Sequence, residues 1–204
     1  MVCSLQIVNS FLLIYMLSQS FIIEASGACC SLLAVWYLRK QSILYWPFNL
    51  INSVIYLFVF YYKGLYAQMS MQLVYIALCI YGIVEWLKHI NAGKTVAVMH
   101  MPQKVFVGIL LLGSLLTSIL YFVLGHYTDS NVPFLDALIT SFSLIGTWLF
   151  TKRYIETWLI WIVIDVVGIS LFIEKEMYPT AVLYFVFIGM ATHGYFLWKR
   201  SLAS

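Results

Sequence analysis

Charge is what this 204-residue chain has least of: Asp, Glu, Lys and Arg together make up only 9% of it. A soluble domain carries about 25% charged residues, so these few cannot cover a water-facing surface, which excludes a soluble globular protein. Cysteine is also scarce. Cys3, Cys29, Cys30 and Cys79 all sit in apolar surroundings with no zinc or redox spacing. A disulfide scaffold and a metal site are therefore excluded, and the thiols read as small buried hydrophobes. No glycine-rich phosphate loop is present, which excludes ATP as a driver. Neither clustered catalytic residues nor a chain of intramembrane acids and histidines occurs, so an enzyme and a proton relay are both disfavoured. His89, His100 and His126 are expected in loops, without ligand spacing. Nothing implies a cofactor. The first twenty residues lack the positively charged start of a signal peptide and are expected to be retained.

Apolar length is what the chain has in abundance. Hydrophobic residues make up 63% of it and the mean hydropathy is +0.94. Seven Trp and 15 Tyr suit the interfaces of a bilayer. A helix needs about 20 apolar residues to cross, and seven stretches qualify: 21–38, 45–62, 68–87, 105–124, 134–151, 156–173 and 178–198. All four prolines (Pro47, Pro102, Pro133 and Pro179) fall at or near a span start, where a missing N–H costs little. Residues 1–20, with Ser4, Gln6, Asn9, Ser10, Ser18 and Gln19, are too polar for an eighth span and read as an interfacial segment.

Seven spans place Arg39, Lys40, Lys88, Lys94, Lys104, Lys152, Arg153, Lys199 and Arg200 on one side, leaving Lys63 and Lys175 on the other. The basic side is cytoplasmic by the positive-inside rule. The N-terminus is then outside and the C-terminus inside.

Aligned with itself at an offset of 112, the segment 24–88 matches 136–200 without gaps. The identities include Ser31/Ser143, Leu32/Leu144, Trp36/Trp148, Lys40/Lys152, Trp46/Trp158, Lys63/Lys175, Tyr66/Tyr178, Gly82/Gly194 and Trp86/Trp198. Two three-span units joined directly would be inverted. One more crossing between them, at 105–124, restores a common orientation. The expectation is an all-α integral membrane protein of seven helices in a 3-1-3 plan, two parallel repeats as in SWEETs. Its parts are an interfacial segment 1–20, a first repeat 21–88, a cytoplasmic loop and linker helix 89–125, and a second repeat 126–204. Duplicated units around a central site are a transporter plan. An enzyme, a membrane sensor or an assembly subunit would not need one.

Five segments carry a resemblance over nearly the whole length: WPFNLIN (46–52), KGLYAQMSMQLVY (63–75), YGIVEW (81–86), KRYIETWLIWIVIDV (152–166) and YPTAVLY (178–184). In these the chain resembles the PnuC family of nicotinamide riboside transporters, in which WxxW is followed by Asn or Asp. It departs from the family's KGLY in the second repeat, which reads Lys175-Glu176-Met177-Tyr178. The resemblance implies a bacterial inner-membrane facilitator for vitamin-type nucleosides or related heterocycles, with thiamine and riboflavin relatives. It also implies cytoplasmic phosphorylation that traps the substrate for NAD biosynthesis.

Trp158, Trp161 and Asp165 stand at i, i+3 and i+7, within about 60° of one another on a helix. An acid this deep costs about 2.5–3.5 kcal/mol on insertion scales and marks a cavity or a partner. Two indoles attract a cation by about 0.5–2 kcal/mol each, and a carboxylate supplies countercharge. These groups suit nicotinamide riboside, a permanent pyridinium cation, and suit cationic thiamine equally. The competing view is an interface belt for Trp158 and a helix-bonding Asp165. The repeat matches Trp46 to Trp158, Asn49 to Trp161 and Ser53 to Asp165. Asn49, Asn52 and Tyr56 form a second stripe, with interhelical bonding as the rival role. On the third span Gln68, Gln72, Tyr75 and Cys79 share a face. Gln72, Tyr75 and Tyr184, the repeat counterpart of Gln72, complete the expected substrate-binding set. Glu24 and Asp136 read as helix caps, Glu85 and His89 as a solvated pair, and His193 as a hydrogen-bonded residue of the last span. The implied partners are the bilayer, a small cationic vitamin and, compatibly, a second copy of the chain. Nucleic acid is not among them.

Overall fold

A computed structural model of the chain describes residues 26–62, 66–91, 97–127, 132–174 and 178–202. The interfacial segment 1–20, Glu24 and the basic residues Lys63, Lys94 and Lys175 lie outside them. Seven helices account for nearly all of these residues: α1 over 26–39, α2 Tyr45–Tyr62, α3 Tyr66–Asn91, α4 Gln103–Tyr127, α5 Pro133–Thr151, α6 Thr157–Glu174 and α7 Tyr178–Leu202. Lipid offers the backbone no hydrogen-bond partner, so an apolar run of this length closes its bonds internally as helix. Pro133 stands at the first position of α5 and Pro102 directly before α4.

Four helices are long and apolar enough to cross a bilayer by length and composition: Met69–Asn91, Gln103–Tyr127, Pro133–Thr151 and Ala181–Leu202. Helix α6 is apolar around most of its circumference, with Asp165 the acid midway along it, and α2 is as short as α6, at 18 residues, or about 27 Å. The outward faces are greasy. Leu111 on α4, Val163 on α6 and Phe185 on α7 are 69%, 63% and 70% exposed. Polar Ser141, Thr157 and Asp165 are buried. Such an inside-out pattern belongs in lipid.

The helices outrun their apolar stretches, and two expectations change with them. His89 lies in the last turn of α3 and His126 in the last turn of α4, not in loops. Backbone hydrogen bonding continues past the last apolar residue, and the negative end of a helix favours cations there. His126 Nδ1 lies 3.0 Å from the Phe122 carbonyl oxygen, one turn back.

Packing recurs at the offset of 112. Trp46 meets Trp86 edge-to-face at 5.6 Å and 90°, and Trp158 meets Trp198 at 5.3 Å and 85°. All four rings are buried. Each pair closes over a glycine: a Cβ at Gly82 would stand 2.3 Å from the Trp46 ring, and one at Gly194 2.7 Å from Trp158. Gln41 and Arg153, also 112 apart, both take φ of 55° in the turns after α1 and α5. A left-handed non-glycine residue costs about 1–2 kcal/mol, so surrounding contacts hold these turns. The Gln41 amide donates to Ser201 Oγ at 3.0 Å, and the Arg153 guanidinium lies 3.7 Å over the Trp86 ring. Burial pulls Arg153 down to about 10, so it stays cationic at neutral pH.

The glycine seats carry a prediction. Gly82→Ala and Gly194→Ala overpack a closed aromatic core and are expected to cost about 1–3 kcal/mol each. Gly108→Ala, where a Cβ meets nothing within 4 Å, serves as the control and is expected to hold or raise stability. Thermal unfolding of the detergent-solubilised protein measures all three, and equal midpoints would refute the interlock.

Helix α2 packs on α3, α6 on α7, α4 and α6 on α5, and α3 on α5. Helix α1 joins α2 through stacked Tyr37 and Phe48 at 5.4 Å. It joins α7 through Arg39, whose carbonyl accepts from Trp198 Nε1 at 3.2 Å and whose Nη1 lies 3.4 Å from His193 Nδ1. The last helix of each matched segment thus packs on the first helix of the other, α3 on α5 and α7 on α1. Basic helix ends gather where these seams meet. Lys152 donates to Tyr81 at 2.9 Å and to Glu85 at 3.2 Å. These two hydrogen bonds, Tyr81's the stronger, hold Lys152 above the usual lysine range. Glu85 is therefore an interhelical bridge as well as the expected partner of His89, which stands 3.9 Å away. The turn before α4 is tied to the same end. Glu156 accepts from the Met101 N–H at 2.8 Å and pairs with His100 at 2.8 Å.

Candidate functional site

Polar side chains on five helices lie within electrostatic or hydrogen-bond reach of one another inside the bundle. Asp165, midway along α6, is 3% exposed. Tyr184 on α7 lies within electrostatic reach of Asp165, of Tyr75 on α3 and of Tyr56 on α2. Tyr75 shares a hydrogen bond with Ser143 on α5. One turn before Asp165, Trp161 stacks nearly parallel to Phe150, at 6.1 Å and 12°. One turn before Tyr56 stands Asn52.

Two polar atoms bordering this cluster are buried without a hydrogen-bond partner among the described residues: Trp161 Nε1, a donor, and Asn52 Oδ1, an acceptor. Leaving such a group unsatisfied costs about 1–3 kcal/mol. A ligand offering one acceptor and one donor would relieve both. The carboxylate adds charge. The described basic residues stand at helix ends or in the turns, so none of them lies beside Asp165.

The expected site residues divide into three groups. Trp161, Asp165, Tyr75 and Tyr184 are brought together at or beside the cluster. Gln72 stands half-buried one turn before Tyr75, and Asn52 turns an unpartnered oxygen inward. Asn49 is half-buried but occupied: its amide donates to Tyr45 Oη and to Cys79 Sγ, each at 3.4 Å. That is the interhelical role held as its rival.

Trp46 and Trp158 stand differently. They are 0% and 1% exposed, locked against Trp86, Trp198 and Phe150. Both belong to the buried aromatic core, and each leaves its indole N–H without a hydrogen-bond partner among the described residues. A helical stripe shows which residues share a face, not which of them the neighbouring helix covers. Ser53, the repeat counterpart of Asp165, is likewise buried.

Sequence reasoning passed over Ser143, although its identity with Ser31 was a usable signal. It set Tyr56 on the stripe without choosing it. The Lys152–Glu85 bridge left no local signal, because its residues are 67 apart.

The family model described as nicotinamide mononucleotide transporter matches residues 21–200. A nicotinamide riboside transporter PnuC from Neisseria mucosa is 26% identical over 185 residues, 85% of this chain and 70% of the relative. The Escherichia coli nicotinamide riboside transporter PnuC is 24% identical over 204 residues, 88% of this chain and 85% of its own length. Among solved structures, a crystal structure of the vitamin B3 transporter PnuC superposes with a TM-score of 0.73 at 24% identity. It covers 94% of this chain and 86% of that one.

Proposed function

Because the chain belongs to the nicotinamide mononucleotide transporter family, whose model spans residues 21–200, we propose that it is a membrane facilitator that takes up nicotinamide riboside. One observation carries this reading: a buried carboxylate, Asp165, inside an apolar bundle, with Trp161 one turn before it on α6 and Tyr184 of α7 within electrostatic reach. A lone charge in such a place is costly, and a cation in contact with it offsets much of that cost. The pyridinium ring supplies the cation. Its carboxamide and ribose supply an acceptor for Trp161 Nε1 and a donor for Asn52 Oδ1. Gln72, Tyr75 and Tyr184 complete the lining.

A phosphorylated substrate fits poorly, since Asp165 repels it and the cluster holds no described Lys or Arg. Thiamine is the second reading, because the same carboxylate and rings suit any flat cationic heterocycle. The riboside is the first reading because the similar relatives carry that name.

The matched seams support two like-oriented units, 21–88 and 126–204, with α4 as the linker between them. We place the basic end in the cytoplasm of a bacterium, with the N-terminus outside and the site between the units near mid-membrane. Transport is passive rocking of one unit against the other, and phosphorylation inside the cell traps the substrate. The Lys152–Glu85 and Arg39–His193 contacts then close the two seams on the cytoplasmic side.

Proteoliposomes containing the purified protein test the proposal. Labelled nicotinamide riboside is expected to equilibrate without ATP or an ion gradient, and to accumulate only when a nucleoside kinase is enclosed. Riboside that fails to enter, or that accumulates without the kinase, would overturn it.

A further inference from the structure

Two of the rings bordering Asp165 rest on bare backbone. On α5, a Cβ at Gly146 would stand 2.8 Å from Trp161 Nε1 and 3.1 Å from Trp161 Cε2. On α6, a Cβ at Gly168 would stand 2.5 Å from both Tyr184 Cδ1 and Tyr184 Cε1. Carbon atoms in contact prefer about 3.5–4.0 Å, so a methyl at either position moves its ring by roughly half an ångström or more. We propose that Gly146 and Gly168 are the specificity-determining positions of the site, seating Trp161 and Tyr184 against the backbone so that one flat cationic ring fits beside Asp165.

The chain carries its own control. At the offset of 112, Gly146 corresponds to Ala34 and Trp161 to Asn49. The first repeat has a buried Ala34 at the matching position, and a short amide, Asn49, at the position that matches the indole. The second removes that Cβ where the partner is an indole. A glycine kept merely for helix approach has no reason to track the size of one side chain. A glycine that seats a ring does. Gly82 and Gly194 seat the rings of the closed core in the same way, whereas at Gly108 and Gly189 a Cβ meets nothing within 4 Å; Gly146 and Gly168 are set apart by seating the two rings nearest Asp165.

The geometry orders the two effects. Trp161 extends from α6 toward α5, so a methyl at Gly146 pushes its indole off α5 and changes the gap available for stacking. Stacked rings sit about 3.5 Å apart, so a shift of half an ångström is a large fraction of that spacing. Gly168 lies three residues after Asp165 on the same helix. A methyl there lifts Tyr184 off α6 and away from the carboxylate it faces. The first change acts on ring stacking and the second on the polar wall.

The inference rests on the proposed uptake of nicotinamide riboside, and a cycle of variants separates the two. Titration calorimetry of purified protein with nicotinamide riboside measures Kd for wild type, Gly146→Ala, Trp161→Leu and the double variant, with Gly189→Ala as control. Gly146→Ala is expected to raise Kd at least ten-fold, and Gly189→Ala to leave it within two-fold. In the Trp161→Leu background, which removes the ring that meets the Cβ, adding Gly146→Ala is expected to change Kd less than two-fold. Equal losses in both backgrounds, or no loss in either, would overturn the seating role while wild-type binding upholds the function. Wild type that binds neither nicotinamide riboside nor thiamine would remove the function itself, and the inference with it. Should Gly146→Ala fold poorly alone, Gly168→Ala with Tyr184→Leu against Tyr184→Leu alone poses the same question on the other wall.

Discussion

Asp165→Asn is expected to weaken binding of nicotinamide riboside by about ten- to one-hundred-fold while leaving a neutral flavin within about three-fold. The substitution keeps the shape of the side chain and one acceptor oxygen, while the charge is lost and the second oxygen becomes an amide donor. Interactions with a charged group contribute about 1.5–3 kcal/mol, and each 1.4 kcal/mol is ten-fold in Kd. Burial makes the estimate firm, because Asp165 is 3% exposed and water cannot screen it. Binding to purified protein across nicotinamide riboside, thiamine and riboflavin provides the measurement. Equal affinity of the Asn variant for both cationic vitamins would exclude a countercharge role and leave Asp165 as a helix-bonding group. A loss for riboflavin as large as for the cations would mean that shape, not charge, had been disturbed.

Trp158→Ala and Trp161→Ala, three residues apart on one helix, are expected to fail in different ways. Trp158 is buried against Trp198, Phe150 and Gly194, so its removal opens a large hole in a closed core, at about 3–5 kcal/mol. Much of the protein is expected to be lost before purification. Trp161 is only half-buried and borders the polar cluster. Its truncation is expected to keep most of the folded protein and raise Kd for nicotinamide riboside by about five- to thirty-fold, the loss of one cation–π contact of about 1–2 kcal/mol. Yield and monodispersity by size exclusion, followed by calorimetry on whatever folds, separate the two. If Trp158→Ala folded normally and lost only binding, the structural assignment of that ring would be wrong.

The contrast between these neighbours shows where the sequence is legible. Span positions came from apolar run length, and α2 matches its expected bounds at Tyr45–Tyr62. The ends of α3 and α4 were missed by a few residues because the backbone keeps its hydrogen bonds beyond the last apolar side chain. The repeat was legible because identical Trp, Gly and Lys residues are improbable by chance. The structure supplies the reason for two of those identities, as Gly82 with Trp46 and Gly194 with Trp158 are one packing unit used twice. The cost of burying charge singled out Asp165, and helical periodicity put Trp161 beside it. Periodicity could not rank Trp158 against Trp161, since both lie on the same stripe.

Long-range pairs were beyond its reach for the same reason. Glu85 looked solvated beside His89, yet Lys152 bridges to it from another helix. Ser143 had no local feature to set it apart from other small residues of an apolar span. Asn49 and Asn52 are three residues apart and chemically identical. One spends its amide on Tyr45 and Cys79, and the other leaves an oxygen inside the bundle unpartnered among the described residues.

By itself, the sequence determined that the chain lives in lipid as helices, that it is built twice from one pattern, and that a single acid lies deep within it. Those properties follow from composition, spacing and the cost of burying charge, all of which are local. Only the tertiary structure decided which rings close the core and which border the acid, and which helix ends are pinned together. Those outcomes depend on what the neighbouring helix presents across the contact, a glycine or a side chain, and no single strand of residues carries that information.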